Sequence, residues 1–260
     1  MQTTKSADGT VIAYDRAGDG PPLVVAVGAF CDRKTFSPPA GLTARFAVYT
    51  FDRRGRGDSG DTPPYAPARE LEDFAAVAEA AGGGSAVYAY GHSSGASLVL
   101  RAAALGVPLV KVVAYEAPFF AADSRQLGED PVSHITGLVA AGRRDEAVRY
   151  WMTDVTQAPP EVLPRLENSP AWPALQALAH TLPYDLLLNG NEGVPADELA
   201  KITAAVLVVG GARSPDWFGH TVAATAAAIP GARLRMLEGC DHNVPAETIS
   251  AVMTEFFTGS

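Results

Sequence analysis

At 260 residues, 47% of them apolar, the chain can bury a large core and fits one large α/β domain or a domain with an insertion, and nothing in its composition points to disorder. A formal net charge of -9 argues against a nucleic-acid or anionic-membrane surface, so the expected partner is a small molecule. Cys31 and Cys240 are too few for a disulfide framework and lack Cys/His ligand spacing, so no metal site is expected and the expected location is a reducing cytoplasm.

The first residues, Met1 to Gly9, lack the apolar stretch of a secretory signal, and no run approaches the roughly 18 apolar residues of a membrane span. Gln2 to Ser6 and Thr10 to Asp15 flank the turn Ala7-Asp8-Gly9 and predict an antiparallel hairpin. Leu23 to Val27 is a continuous apolar run bounded by Pro22 and Gly28, as in a strand covered on both faces. A second strand is predicted over Arg45 to Phe51. The loop after it, Asp52-Arg53-Arg54-Gly55-Arg56-Gly57-Asp58-Ser59, is dense in arginine but lacks P-loop spacing, and its alternating charges predict a self-neutralised structural turn rather than a phosphate site.

A helix is predicted over Glu70 to Ala81, stopped by Gly82-Gly83-Gly84. The stretch Ala86 to Leu100 then reads as strand, abrupt turn and helix around Gly91-His92-Ser93-Ser94-Gly95. Gly91 and Gly95 omit the side chains that would clash where a helix doubles back on its strand, leaving Ser93 at the tip as a candidate nucleophile. His92 occupies the variable position of this motif and is read as a packing residue. Val110 to Tyr115 predicts the next strand, ending in Glu116-Ala117-Pro118-Phe119.

From 121 to 199 no strand-like run recurs. His134 to Met152 and Ala171 to Leu188 carry helical spacing, broken at Ala158-Pro159-Pro160, Ser169-Pro170 and Gly190, which predicts a helical insertion. His134 and His180 in this insertion, and His220 beyond it, are read as surface or packing residues. Strands resume at Ala205 to Val209 and Arg233 to Leu237, with helices over Trp217 to Ile229 and Ala246 to Phe257. Alternation of this kind predicts an α/β fold with a mostly parallel sheet, helices on both faces, and the strand C-termini on one edge. The core then comprises residues 1–120 and 200–260, with 121–199 inserted as a helical cap.

With these residues in place, the chain resembles the α/β-hydrolase superfamily along nearly its whole length. The likeness rests on the Ser93 elbow, the loop 52–59, the helical insertion, and His242 just past the last strand. It implies a nucleophile, acid and histidine in that chain order, with Ser93 and His242 as two of the three. Where many members carry His-Gly, this chain has Val27-Gly28-Ala29-Phe30; by position the resemblance implies oxyanion donors at the N–H groups of Phe30 and Ser94. The acid commonly follows the strand ending near Val209, but that loop reads Gly210-Gly211-Ala212-Arg213-Ser214-Pro215, with Asp216 beyond it.

Glu116 is the favoured acid and Asp216 the alternative, with Asp241 or no acid left open. A Glu at this place is similar to certain haloalkane dehalogenases and to lactone hydrolases of the zearalenone-lactonase type, which also share the flavour of Ser93-Ser94-Gly95-Ala96-Ser97. The expected activity is hydrolysis of a small, moderately apolar carboxylic ester or lactone through an acyl-serine, without cofactor or metal. Carbon–carbon bond cleavage or a cofactor-free peroxidase-like activity on the same triad is a second reading, and a ligand-binding receptor with little turnover a third. Ala29, Phe119, Trp151, Tyr184 and Trp217 are the candidate substrate-lining residues, with Trp172 as a further aromatic in the insertion.

Overall fold

The apolar runs assemble into one eight-stranded sheet in the computed structural model of the chain, which describes residues 1–120 and 130–259. Strands β1 (Gln2–Lys5) and β2 (Val11–Ala17) form the expected hairpin; β3 (Pro22–Ala26), β4 (Ala47–Phe51), β5 (Val87–His92), β6 (Leu109–Tyr115), β7 (Ala205–Gly211) and β8 (Arg233–Leu237) come after it. The order across the sheet is β1-β2-β4-β3-β5-β6-β7-β8. Only the pairs β1/β2 and β2/β4 are antiparallel. The sheet is therefore mostly parallel, and six C-terminal strand ends gather on one edge.

Side chains alternate between two cores, as strand pleating requires. Val24 and Ala26, Val112 and Ala114, and Val206 and Val208 face one core, while Leu23 and Val25, Val113 and Tyr115, and Leu207 and Val209 face the other. Among helices, α1 (Ala40–Thr43) packs on the second face, and α2 (Pro67–Gly82) and α3 (Ser94–Ala104) cover the first. Helix α2 starts before the predicted Glu70 because Pro67 opens its first turn, where a missing N–H costs nothing.

Between β6 and β7 lie α4 (Pro131–Ala140), α5 (Arg144–Tyr150), α6 (Val162–Glu167), α7 (Trp172–Leu178), α8 (Leu182–Asn189) and α9 (Ala196–Leu199). The first nine residues of the predicted insertion, 121–129, lie outside the described residues. The helical stretch from His134 is divided: Gly142 at φ 75° ends α4, and α5 runs into a π-helical turn over Trp151–Val155. Ile135, Val148, Trp151, Leu182 and Leu186 share a third core, against which Ala29, Phe30 and Trp217 pack. Helix α8 packs on α3 and α2. After β7, α10 (Asp216–Ala228) lies on the first face and the closing helix α11 (Ala246–Thr258) on the second. Among the described residues no helix is long and apolar enough to cross a membrane, no group of acidic, His or Cys side chains is placed to hold a metal, and both cysteines are free.

Candidate active site

Ser93 sits between β5 and α3 at φ 56°, ψ -129°, a left-handed conformation that a non-glycine residue adopts only when its surroundings impose it. The sequence imposes it through three small neighbours. A Cβ on Gly95 would overlap the Ala26 carbonyl oxygen, and one on Gly91 would overlap the Gly95 carbonyl. A Cβ on Gly28 would lie 2.8 Å from that of Ser93. The Ser93 N–H donates to the Tyr115 carbonyl at 2.9 Å, which fixes the elbow to the neighbouring strand.

Strand register carries the next residue into place. His92 pairs with Tyr115 and Tyr115 with Val209, so Ser93 and Glu116 each stand one residue past the same rung. Glu116 is fully buried at φ 49°. Its Oε1 accepts from the Gly211 N–H at 2.7 Å, and its Oε2 lies 2.6 Å from His242 Nδ1. A carboxylate only accepts, so Nδ1 donates and the lone pair of the ring is left on Nε2.

The loop bearing His242 is held by its backbone. Tyr115 donates its hydroxyl to the Asp241 carbonyl at 2.5 Å, and His92 Nε2 donates to the His242 carbonyl at 2.8 Å. Burial, with the His242 ring as a second cause, pushes the His92 imidazole down to about 4, so it is neutral at pH 7. Phe218 stacks on the His242 ring at 4.5 Å and 21°, and Trp217 stacks on Phe218 at 3.7 Å. Asp216 is exposed in the first turn of α10, where the helix dipole favours an acid, and Asp241 is exposed and accepts from the Asn243 N–H. Of the three candidate carboxylates, Glu116 is the one that the described geometry brings to His242.

A family model described as the alpha/beta hydrolase family matches residues 23–252. The chain belongs to the alpha/beta hydrolase family. Among solved structures it is similar to an alpha/beta hydrolase from Sphaerobacter thermophilus, at 44% identity and a TM-score of 0.92, over 99% of this chain and 100% of that one. It also shares its fold with the enol-lactonase of Burkholderia xenovorans (18% identity, TM-score 0.74, 99% and 100% covered). An esterase from Exiguobacterium antarcticum is a further neighbour (19% identity, TM-score 0.74, 99% and 98% covered). Comparison with curated proteins gives no match.

In this alpha/beta hydrolase the aromatic candidates divide. Trp151 is buried and meets Phe30 edge-on at 6.1 Å, and Phe120 lies 5.8 Å from Trp217, so Ala29, Phe30, Trp151 and Trp217 belong to one set. Phe119 is not in it: it is buried in the core of the first sheet face, with the Arg101 guanidinium 5.8 Å above its ring. Tyr184 turns outward, stacking on Tyr65 at 4.0 Å and donating to Asp61. His180 donates to the Ala177 carbonyl and His134 meets Tyr150, both within the insertion, while His220 is exposed.

The three arginines of the loop 52–59 are buried, in keeping with a structural turn, but their partners differ from those expected. Arg53, Arg54 and Arg56 reach carboxylates outside the loop: Glu70 and Asp185, Asp73 and Asp8, and Asp185, respectively. Asp52 and Asp58 instead hold Arg33. Charge alternation signalled neutralisation without identifying the partners, because those partners are fixed by tertiary packing. Phe218, Asp185 and the Gly211 N–H had no local sequence signal of a role at the site.

Proposed function

We propose that this alpha/beta hydrolase cleaves the carboxylic ester or lactone bond of a small, moderately apolar molecule through an acyl-enzyme on Ser93. The observation that carries the reading is the 2.6 Å contact of Glu116 with His242 Nδ1, which leaves Nε2 as the acceptor on a histidine that comes after the last strand. In the first step the Ser93 Oγ attacks the carbonyl carbon and its proton passes to His242 Nε2. Glu116 stabilises the imidazolium, and the N–H groups of Phe30 and Ser94 receive the developing oxyanion. The imidazolium then protonates the departing alcohol oxygen. Water attacks the acyl-serine with His242 again as base, releasing the acid and restoring Ser93.

The aromatic set of Phe30, Trp151, Trp217 and Phe218 supports an apolar substrate, and the helices of residues 130–199 act as the cap that selects it. An enol-lactonase and an esterase among the structural neighbours bear names of this reaction class. Hydrolysis of p-nitrophenyl esters tests the reading. Ser93→Ala is expected to lower kcat by at least about 10³ while preserving the melting temperature, because triad members act as a unit. Turnover retained in that variant removes Ser93 as nucleophile, and no turnover of any ester or lactone by the parent chain favours a ligand-binding role.

A further inference from the structure

One buried carboxylate outside the proposed triad gathers the side chains that border both sides of the proposed oxyanion hole. Asp185, on α8, is fully buried, as are its partners Arg53 and Arg56. Its Oδ1 accepts from the Ser94 hydroxyl at 2.6 Å, from Arg53 Nη1 at 2.9 Å and from Arg56 Nη2 at 2.8 Å; its Oδ2 accepts from Arg56 Nη2 at 2.9 Å. The two guanidinium groups continue to the other side of the hole. Arg56 Nη1 donates to the Gly28 carbonyl at 2.6 Å, and Arg53 Nη1 to the Val27 carbonyl at 3.3 Å and the Ser94 hydroxyl at 2.8 Å. Glu70 holds the far edge of Arg53 through its Nε.

These contacts orient peptide planes. Fixing the Val27 and Gly28 carbonyls fixes the planar peptide units Val27–Gly28 and Gly28–Ala29, from which the chain runs directly into Phe30, held at φ 59°. The Ser94 hydroxyl is anchored on the residue whose own N–H is the second donor. Although burial alone pushes the Asp185 carboxyl up, Arg56, Arg53 and the Ser94 hydroxyl outweigh it and hold it below its ordinary range, so it stays ionised among them.

We propose that Asp185 is a positioning residue for the oxyanion hole: by gathering Arg56, Arg53 and Ser94 it sets the separation of the Phe30 and Ser94 N–H groups and ties it to the seating of α8. The proposal rests on the acyl-serine reading above. It makes the inserted helices a condition for turnover as well as for substrate choice. Donors must meet the oxyanion position within a few tenths of an ångström, and a displacement of about 1 Å is enough to cost about 10² in rate.

The test uses two variants of the whole chain, Asp185→Asn and Ser94→Ala, with active sites counted by a serine-directed phosphonate. Ser94→Ala keeps every charge paired and keeps the N–H donor, so it remains informative should Asp185→Asn fail to fold. The expected result is a loss of kcat per titrated site of about 10² for Asp185→Asn and about 10 for Ser94→Ala, with KM within about twofold. Inhibition by an aryl trifluoromethyl ketone, whose carbonyl oxygen becomes an oxyanion when Ser93 adds, is expected to weaken by the same factor as kcat/KM. Asp185→Glu is expected to recover part of both. A purely structural role lowers the melting temperature and leaves kcat per titrated site and ketone inhibition unchanged; that result in Ser94→Ala overturns the proposal. Turnover surviving in Ser93→Ala overturns the underlying acyl-serine reading instead, so the two failures are distinguishable.

Discussion

Replacing Glu116 with Gln removes one charge and almost no volume, so its effect is set by the two contacts that the carboxylate makes. Oε1 accepts from the Gly211 N–H and Oε2 from His242 Nδ1, so both oxygens act as acceptors. An amide has one oxygen and one NH₂. With its oxygen toward Gly211, the NH₂ faces Nδ1 and drives the imidazole proton to Nε2, the atom proposed to receive the Ser93 proton. The reversed amide keeps the tautomer but sets two donors against each other in a buried site, a penalty of about 1–3 kcal/mol. That penalty alone leaves only about one molecule in 5 to 150 in the competent tautomer, and the imidazolium also loses its counter-charge. The wrong-tautomer change at the Asp of a serine protease triad costs about 10⁴ in kcat, or roughly 5.4 kcal/mol. The expected loss for Glu116→Gln is therefore about 10²–10⁴ in kcat, measured with p-nitrophenyl butyrate against titrated active sites. Asp216→Asn and Asp241→Asn are expected to stay within about threefold, since both side chains are exposed. A Glu116→Gln enzyme within tenfold of the parent, or an Asp216→Asn loss larger than that of Glu116→Gln, refutes the reasoning.

Gly95→Ala places a Cβ against the Ala26 carbonyl oxygen, a backbone atom of a central strand that cannot yield. The expected result is a destabilisation of about 3 kcal/mol or more, and an unchanged thermal midpoint contradicts it. The depressed pKa of His92, about 4 against 6.5 in the unfolded chain, means that the unfolded state binds the extra proton between those values. Stability should therefore be lost as pH falls from about 6.5 to about 4, by on the order of 3 kcal/mol, and His92→Asn should remove this component; equal losses in urea unfolding at pH 7 and 4.5 for both chains count against it. Trp151→Ala is expected to change kcat/KM for a bulky aromatic ester by about 10-fold more than for p-nitrophenyl acetate, and a proportional loss on both speaks against a selective role.

The elbow and the sheet are readable because their causes are local. Apolar runs must be covered on both faces, and the Gly91 and Gly95 positions are the ones that backbone crowding forbids to larger residues. Glu116 is readable for a related reason: it stands level with Ser93, one residue past the end of the neighbouring strand. The direction of single aromatic side chains is not readable in this way. Phe119 and Phe120 are adjacent in a segment without regular repeat, yet one enters the sheet core and the other meets Trp217. Tyr184 and Asp185 are neighbours on α8, about 100° apart around the helix, and only the second turns toward Ser94. Its ionic partners lie 129 and 132 residues away in sequence, a separation no local pattern records.

The placement of Glu116 directly after β6 also bears on how such a chain can diverge. Were the acid on the turn after β7, every insertion or deletion there would shift the carboxylate relative to the imidazole. Here the segment serves the pair through its backbone: the Gly211 N–H donates to Glu116, and the Arg213 N–H donates at 2.8 Å to the Cys240 carbonyl, two residues before His242, while the side chains of Ala212, Arg213 and Pro215 are exposed. The turn is a graft point for side chains: its sequence can drift, or be redesigned, while its backbone contacts are kept and the acid stays anchored at the end of an interior strand.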